Sequence, residues 1–125
     1  MNCFDECSGL RKLYLEHNRI YRLEGLHNCQ NLEELFLGDQ KIGNREFTFD
    51  EYSLAAISNT LVILDLPKVN LVHCKPLYFL ENLITLNLND NLIADFQEEM
   101  APMLTTLIRL TTLTMLRNPV VKLTP

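Results

Sequence analysis

From Leu10 the chain reads Leu10-x-x-Leu13-x-Leu15-x-x-Asn18-x-Ile20, followed by Leu23, Leu26, Cys29 and Leu32. The front half alternates apolar and polar residues, the period-two pattern of a strand with one face buried. The back half sets an apolar residue at every third position, which suits a tight 3₁₀-like coil better than a long α-helix. At Leu32 the same frame begins again.

Aligned on this frame, the chain has starts at Leu10, Leu32, Leu61, Leu83 and Leu110, spaced by 22, 29, 22 and 27 residues. A period of this size belongs to arrays in which each turn buries its apolar face only against its neighbours. The pattern predicts an α/β leucine-rich-repeat solenoid of about five repeats, curved and right-handed. Its parallel sheet would lie on the concave face and short 3₁₀ or α-helical segments on the convex face. One domain over residues 1–125 is expected, since the length suits one modest core.

Column by column, the polar position of the turn is held by Asn18, Gln40, Val69, Asn91 and Asn118, and the apolar position two residues on by Ile20, Ile42, Leu71, Ile93 and Val120. A buried Asn there can use both ends of its amide on turn backbone left unpaired by strand or helix. Gln40 is expected to do this less well. Val69 cannot do it at all, although Asn70 is adjacent, so the third repeat is predicted to be locally irregular.

The convex series Leu23, Leu26, Cys29 and Leu32 recurs as Cys74, Leu77, Leu80 and Leu83, with an incomplete copy at Phe4, Cys7 and Leu10. In the insert 43–60, Thr48-Phe49-Asp50-Glu51 reads as a capping box, Thr48 capping and Glu51 reaching back, ahead of a helix of two to three turns bearing Leu54, Ile57 and Leu61. A second helix is predicted within Phe96–Leu110 from Met100, Met103, Leu104, Leu107 and Leu110, with Pro102 near its start and Asp95–Glu99 at its positive end. The frame starts inside a repeat and stops just after Val120. Two arrangements fit that: a piece of a longer array, or a chain that covers uncapped ends by self-association.

The net charge of −5 argues against nucleic acid or an anionic membrane as partner, because both need clustered Lys and Arg. No apolar run approaches the ~20 residues of a membrane span, and the first residues lack the basic start and apolar core of a signal peptide. Four cysteines in that setting point to a reducing compartment, with the cytoplasm as expected location. Cys3-x-x-x-Cys7 could be half of a metal site, but Cys7, Cys29 and Cys74 fill apolar columns and no four-ligand set has zinc spacing. His17 is placed near Asp39 of the next repeat, yet no nucleophile motif or Gly-rich phosphate loop accompanies it. Neither catalysis, a metal nor a cofactor is expected.

The informative surface is the strand face turned away from the leucines. Its columns are Tyr14, Phe36, Asp65, Asn87 and Thr114; Lys12, Glu34, Ile63, Thr85 and Thr112; and Glu16, Gly38, Pro67, Asn89 and Leu116. Neighbours within a column stack at ~4.8 Å across the strands. Tyr14, Phe36 and Ile63 would form an apolar stripe flanked by Glu16, Glu34 and Asp39. Exposed aromatics with a charged rim are how protein interfaces anchor partners. Tyr14, Glu16, Glu34, Phe36, Asp39, Ile63 and Asp65 are therefore the expected protein-binding residues. The next column, His17, Asp39, Lys68, Asp90 and Arg117, alternates in charge and reads as pairing between neighbouring strands, worth only ~0.2–1 kcal/mol per exposed pair.

With this frame and period the chain resembles the short-repeat class typified by regulatory subunits of protein phosphatase 1; Leu23-Glu24-Gly25-Leu26 is similar to that class's Ile-x-x-Leu motif. Leu35 to Ile42, Phe49-Asp50, Leu54, Leu61 to Leu66 and the Asn118-Pro119-Val120 ending resemble its testis leucine-rich-repeat members. The resemblance implies a non-catalytic interaction protein that binds the phosphatase catalytic subunit or a cytoskeletal protein through concave aromatics and acids. It also implies an association with microtubule-organising centres, the cytoskeleton or the cilium. The chain is shorter than those members, with fewer leading repeats and no carboxy-terminal tail, and it has no Arg/Lys-Val/Ile-x-Phe docking peptide. The competing expectation is a structural scaffold of another leucine-rich-repeat family, in a ribonucleoprotein or axonemal assembly.

Overall fold

The computed structural model describes residues 8–122. Five three-residue strands, β1 (Lys12–Tyr14), β3 (Glu34–Phe36), β5 (Ile63–Asp65), β6 (Thr85–Asn87) and β7 (Thr112–Thr114), form one parallel sheet in the order β1-β3-β5-β6-β7. The register puts the second leucine of each frame opposite the next, Leu13 beside Leu35, Leu64, Leu86 and Leu113. These side chains point inward, Leu113 only partly buried, and are joined by the buried Leu32, Leu37, Leu61, Leu66, Leu83 and Leu88. The architecture is an α/β repeat fold in which every turn adds one strand and one layer of leucine.

Each strand ends in the same unusual way. His17, Asp39, Lys68, Asp90 and Arg117 all have φ between 57° and 59°. The left-handed region costs a residue with a Cβ about 1–2 kcal/mol, so something must hold it. Part of the answer is a continued backbone ladder, with His17 N–H donating to Gly38 O at 3.0 Å, Asp39 to Pro67 O at 2.8 Å, Lys68 to Asn89 O at 3.0 Å and Asp90 to Leu116 O at 2.8 Å. The column read from sequence as charge pairing is thus also the position where the chain turns.

The amide column completes the turn. Asn91 is buried; its Oδ1 accepts from Val69 N–H and Leu71 N–H of the preceding turn, both at 3.0 Å, and its Nδ2 donates to Leu66 O at 2.8 Å. Asn118 repeats this on Ile93 N–H and Leu88 O. Gln40 corrects the sequence expectation. Its Oε1 accepts from Ile20 N–H at 2.8 Å and its Nε2 donates to Leu15 O at 2.8 Å and Leu37 O at 2.9 Å, so the extra methylene is accommodated without losing a bond type.

At the third turn Val69 is buried and contributes no side-chain hydrogen bond, and a second left-handed residue, Asn70 (φ 60°), follows Lys68. That is the local irregularity. Asn70 Nδ2 instead donates to Gly43 O and Arg45 O, tying down the insert.

On the other side of the leucine layer the three-residue spacing becomes i→i+3 bonding: Cys29 N–H to Leu26 O, Leu32 to Cys29, then Leu77 to Cys74, Leu80 to Leu77 and Leu83 to Leu80. The insert departs from the expected capping box. Thr48–Phe49 is a short strand, β4, paired with β2 (Arg22–Leu23), and Thr48 and Asp50 donate to Tyr21 O and Leu23 O. Extended backbone runs on to Asp50, which caps α1 (Glu51–Ile57) by accepting from Ser53 N–H at 3.1 Å. Ser53 is buried and its Oγ accepts from Leu26 N–H.

The second helical stretch opens with a wide π-type turn, Phe96–Met100, in which Asp95 accepts from Glu98 N–H. It continues as α2 (Ala101–Thr106), where Pro102 sits in the first turn and needs no acceptor for its missing N–H. Met100, Met103 and Leu107 are buried as expected, whereas Leu104 is exposed. Phe4 and Cys7, the incomplete copy of the convex series, lie outside the described residues.

Candidate protein-binding face

The face of the sheet opposite the leucines carries the residues singled out from sequence. In the row Tyr14, Phe36, Asp65, Asn87 and Thr114, the first two rings stack with centroids 4.7 Å apart and planes 3° from parallel. Phe36 is half-buried while Tyr14 is 60% exposed. Adjacent parallel strands set this separation, so a stacked pair is what two aromatics in register must form. Further along the row, Asn87 Nδ2 donates to Asp65 Oδ1 at 2.8 Å, and Thr114 Oγ1 donates to Asn87 Oδ1 at 3.0 Å.

The register is the one the sequence columns imply, so Tyr14, Phe36 and Ile63 are arranged on a diagonal. Ile63 is registered against Glu34, and Asp65 stands beside Phe36. A two-residue offset along β5 makes Ile63 only a diagonal neighbour of the aromatic pair. Glu34 is engaged with Lys12 at 3.4 Å.

Glu16, Asp39 and Asp65 line one open depression beside the aromatics, together with Gly38, Pro67 and Asp90 and the basic side chains of His17 and Lys68. Gly38 forms its floor because it has no choice of side chain: a Cβ there would lie 2.9 Å from Pro67 Cγ. Asp39 is matched by His17 at 2.9 Å and Lys68 at 3.9 Å, and Asp90 by Arg117, one of whose bonds measures 3.0 Å. The Arg117 hydrogen bond, helped by the charges of Arg117 and Lys68, holds the Asp90 carboxyl below its ordinary range. Asp65 goes the other way. Burial raises it, the Asn87 hydrogen bond only partly opposes that, and the nearby charge of Glu16 raises it further.

A second polar cluster, not foreseen from sequence, lies off this face. Glu99 accepts from His73 Nδ1 at 2.8 Å and from Cys74 N–H at 2.9 Å, while Glu46 stands 3.7 Å from His73 Nε2. Only the pairing of three distant segments creates it, and nothing in the local sequence around Glu99 distinguishes it from a helix-start acid. Cys29 and Cys74 are fully buried as their apolar columns predict, and burial pushes the Cys74 thiol up to about 12. That keeps it protonated and unreactive. Among the described residues no group of three His, Cys, Asp or Glu side chains is placed to hold a metal, and no helix is long and apolar enough to cross a membrane. Cys3 lies outside them.

In comparison with known families, residues 8–47 fit the family model described as Leucine Rich repeats (2 copies). The matched stretch contains the frame starts Leu10 and Leu32 and the strands β1 and β3. No curated protein matches the chain. Residues 8–47 are thus similar to leucine-rich-repeat sequence, and leucine-rich-repeat domains are in general non-enzymatic protein–protein interaction modules.

Proposed function

We propose that this chain is a non-catalytic protein-docking module: one leucine-rich-repeat solenoid of five repeats that receives its partner on the concave face of the sheet. The observation that carries the reading is the stacked Tyr14–Phe36 pair, held rigid by the parallel register yet left open to solvent on Tyr14. A pre-ordered aromatic pair gives a partner apolar contact at little conformational cost. Glu16, Asp39 and Asp65 supply the polar border, and Glu34 and Ile63 the flank toward the start of the strands.

The partner in this reading is the protein phosphatase 1 catalytic subunit or a cytoskeletal protein. The support is the resemblance of Leu35 to Ile42, Phe49-Asp50 and Leu61 to Leu66 to protein phosphatase 1 regulatory subunit 42. The same resemblance supports a cytoplasmic place at the cytoskeleton or cilium. The test is equilibrium binding of the purified phosphatase catalytic subunit to the wild-type chain and to Tyr14→Ala/Phe36→Ala. Loss of about 2 kcal/mol or more in the double variant is the expected anchor effect. Absence of binding by the wild type removes the phosphatase, and equal binding by both proteins removes the aromatic surface.

A further inference from the structure

We propose that the depression over Gly38 is a receptor for an arginine side chain of the docked protein, the guanidinium lying between Glu16 and Asp65 and the side chain passing over the edge of Phe36. The proposal rests on the docking reading above and specifies what the partner must present there: a basic segment.

Three independent features converge. The first is unmatched charge. Of the four carboxylates around the depression, Asp39 has His17 and Lys68, and Asp90 has Arg117. Glu16 and Asp65 have no cationic partner among the described residues, and the charge of Glu16 adds to burial in raising the Asp65 carboxyl rather than relieving it. A cation set between them would reverse that sign, and in a partly desolvated notch charge complementarity counts for more than on open surface.

The second feature is space. In the row Glu16, Gly38, Pro67, the middle residue has no side chain, and the ring of Pro67 prevents one from being accommodated. The gap is therefore built by two neighbouring strands and is not a chance of side-chain placement. The third feature is the neighbouring aromatic. Phe36 precedes Gly38 by two residues and faces the same side, and its other in-register neighbour is Asp65. Planar guanidinium stacks on aromatic rings and meets carboxylates with paired donors, which an ammonium does not do.

The test uses N-acetyl-arginine amide as probe and N-acetyl-citrulline amide, its neutral isostere, as control, titrated into the isotope-labelled chain and followed at the Gly38 backbone amide by NMR. The expected result is a saturable shift with arginine only, weakened by added salt and lost in Glu16→Gln/Asp65→Asn. The spectrum of that variant elsewhere reports that the fold is kept. Equal response to citrulline, an unsaturable response to arginine, or an unchanged response in the double variant each overturns the proposal. The two readings fail separately: if Tyr14→Ala/Phe36→Ala abolishes phosphatase binding while Glu16→Gln/Asp65→Asn leaves it intact, the surface stands and the arginine receptor falls. A saturable arginine shift with no loss of phosphatase binding in Tyr14→Ala/Phe36→Ala removes the aromatic surface and leaves the receptor.

Discussion

The side-chain oxygen of Asn91 accepts the backbone N–H of Val69 at 3.0 Å. The turn that lacks an amide of its own is thereby closed by the amide of the turn that follows, and Gln40, Asn91 and Asn118 each reach back in this way to the turn before their own. Asn18 has no such task within the described residues; it is exposed and bonds only Leu15 O and Glu16 O of its own turn. Replacing Asn91 by Leu strands buried donors and acceptors that each cost about 1–3 kcal/mol unpaired. Asn91→Leu is therefore expected to lower stability in urea by about 3 kcal/mol or more, and Asn18→Leu by under about 1 kcal/mol. Similar losses in the two variants would show that the reach-back is not what holds the turns.

The cap of α1 is Asp50 and not Thr48, the residue that the sequence pattern favours. Asp50 accepts from Ser53 N–H, while Thr48 lies in β4 with its Oγ1 3.3 Å from Arg22. Asp50→Ala should cost about 1 kcal/mol and Thr48→Ala distinctly less. The reverse order in a chemical melt would restore the Thr48 capping box.

Gly38 and Pro67 form a steric couple. Gly38→Ala puts a methyl 2.9 Å from Pro67 Cγ, and such overpacking typically costs about 1–3 kcal/mol. In a Pro67→Ala background the same substitution should cost much less. Strictly additive changes across this double-mutant cycle would mean that the two do not meet.

The His73 cluster gives a pH dependence. The hydrogen bond to Glu99 raises the His73 pKa above its ordinary 6.5, burial opposes it, and the charges of Glu99 and Glu46 outweigh that of Lys75. A raised folded pKa means the folded state binds the proton more tightly than the unfolded state. The stability from this cluster is fully present below about 6.5 and is lost as pH rises through the folded value. The difference in stability between wild type and His73→Gln should shrink over that window, and a difference that stays constant with pH would exclude the cluster as its source. The side chain is 63% exposed, so the effect is a modest one.

The sequence alone determined the repeat. Period-two and period-three apolar spacing reports which side chains face inward, and an array whose units touch only their neighbours carries all that information locally. Leu13, Leu35, Leu64, Leu86 and Leu113 therefore lie in the register that their frames imply. It also placed Tyr14 beside Phe36, because a fixed register turns columns into contacts. Tertiary structure decided what depends on backbone angle or on side chains from remote turns. Asp50 became the cap only because β4 pairs with β2 and keeps Thr48 extended. Gln40 could serve as a ladder amide because the path to Ile20 and Leu15 had room for one more methylene. The left-handed turn column looked like a row of charges, since φ leaves no mark on residue type when the backbone ladder holds it. The Glu46–His73–Glu99 cluster needed three segments at once, and no local pattern encodes a meeting of that kind.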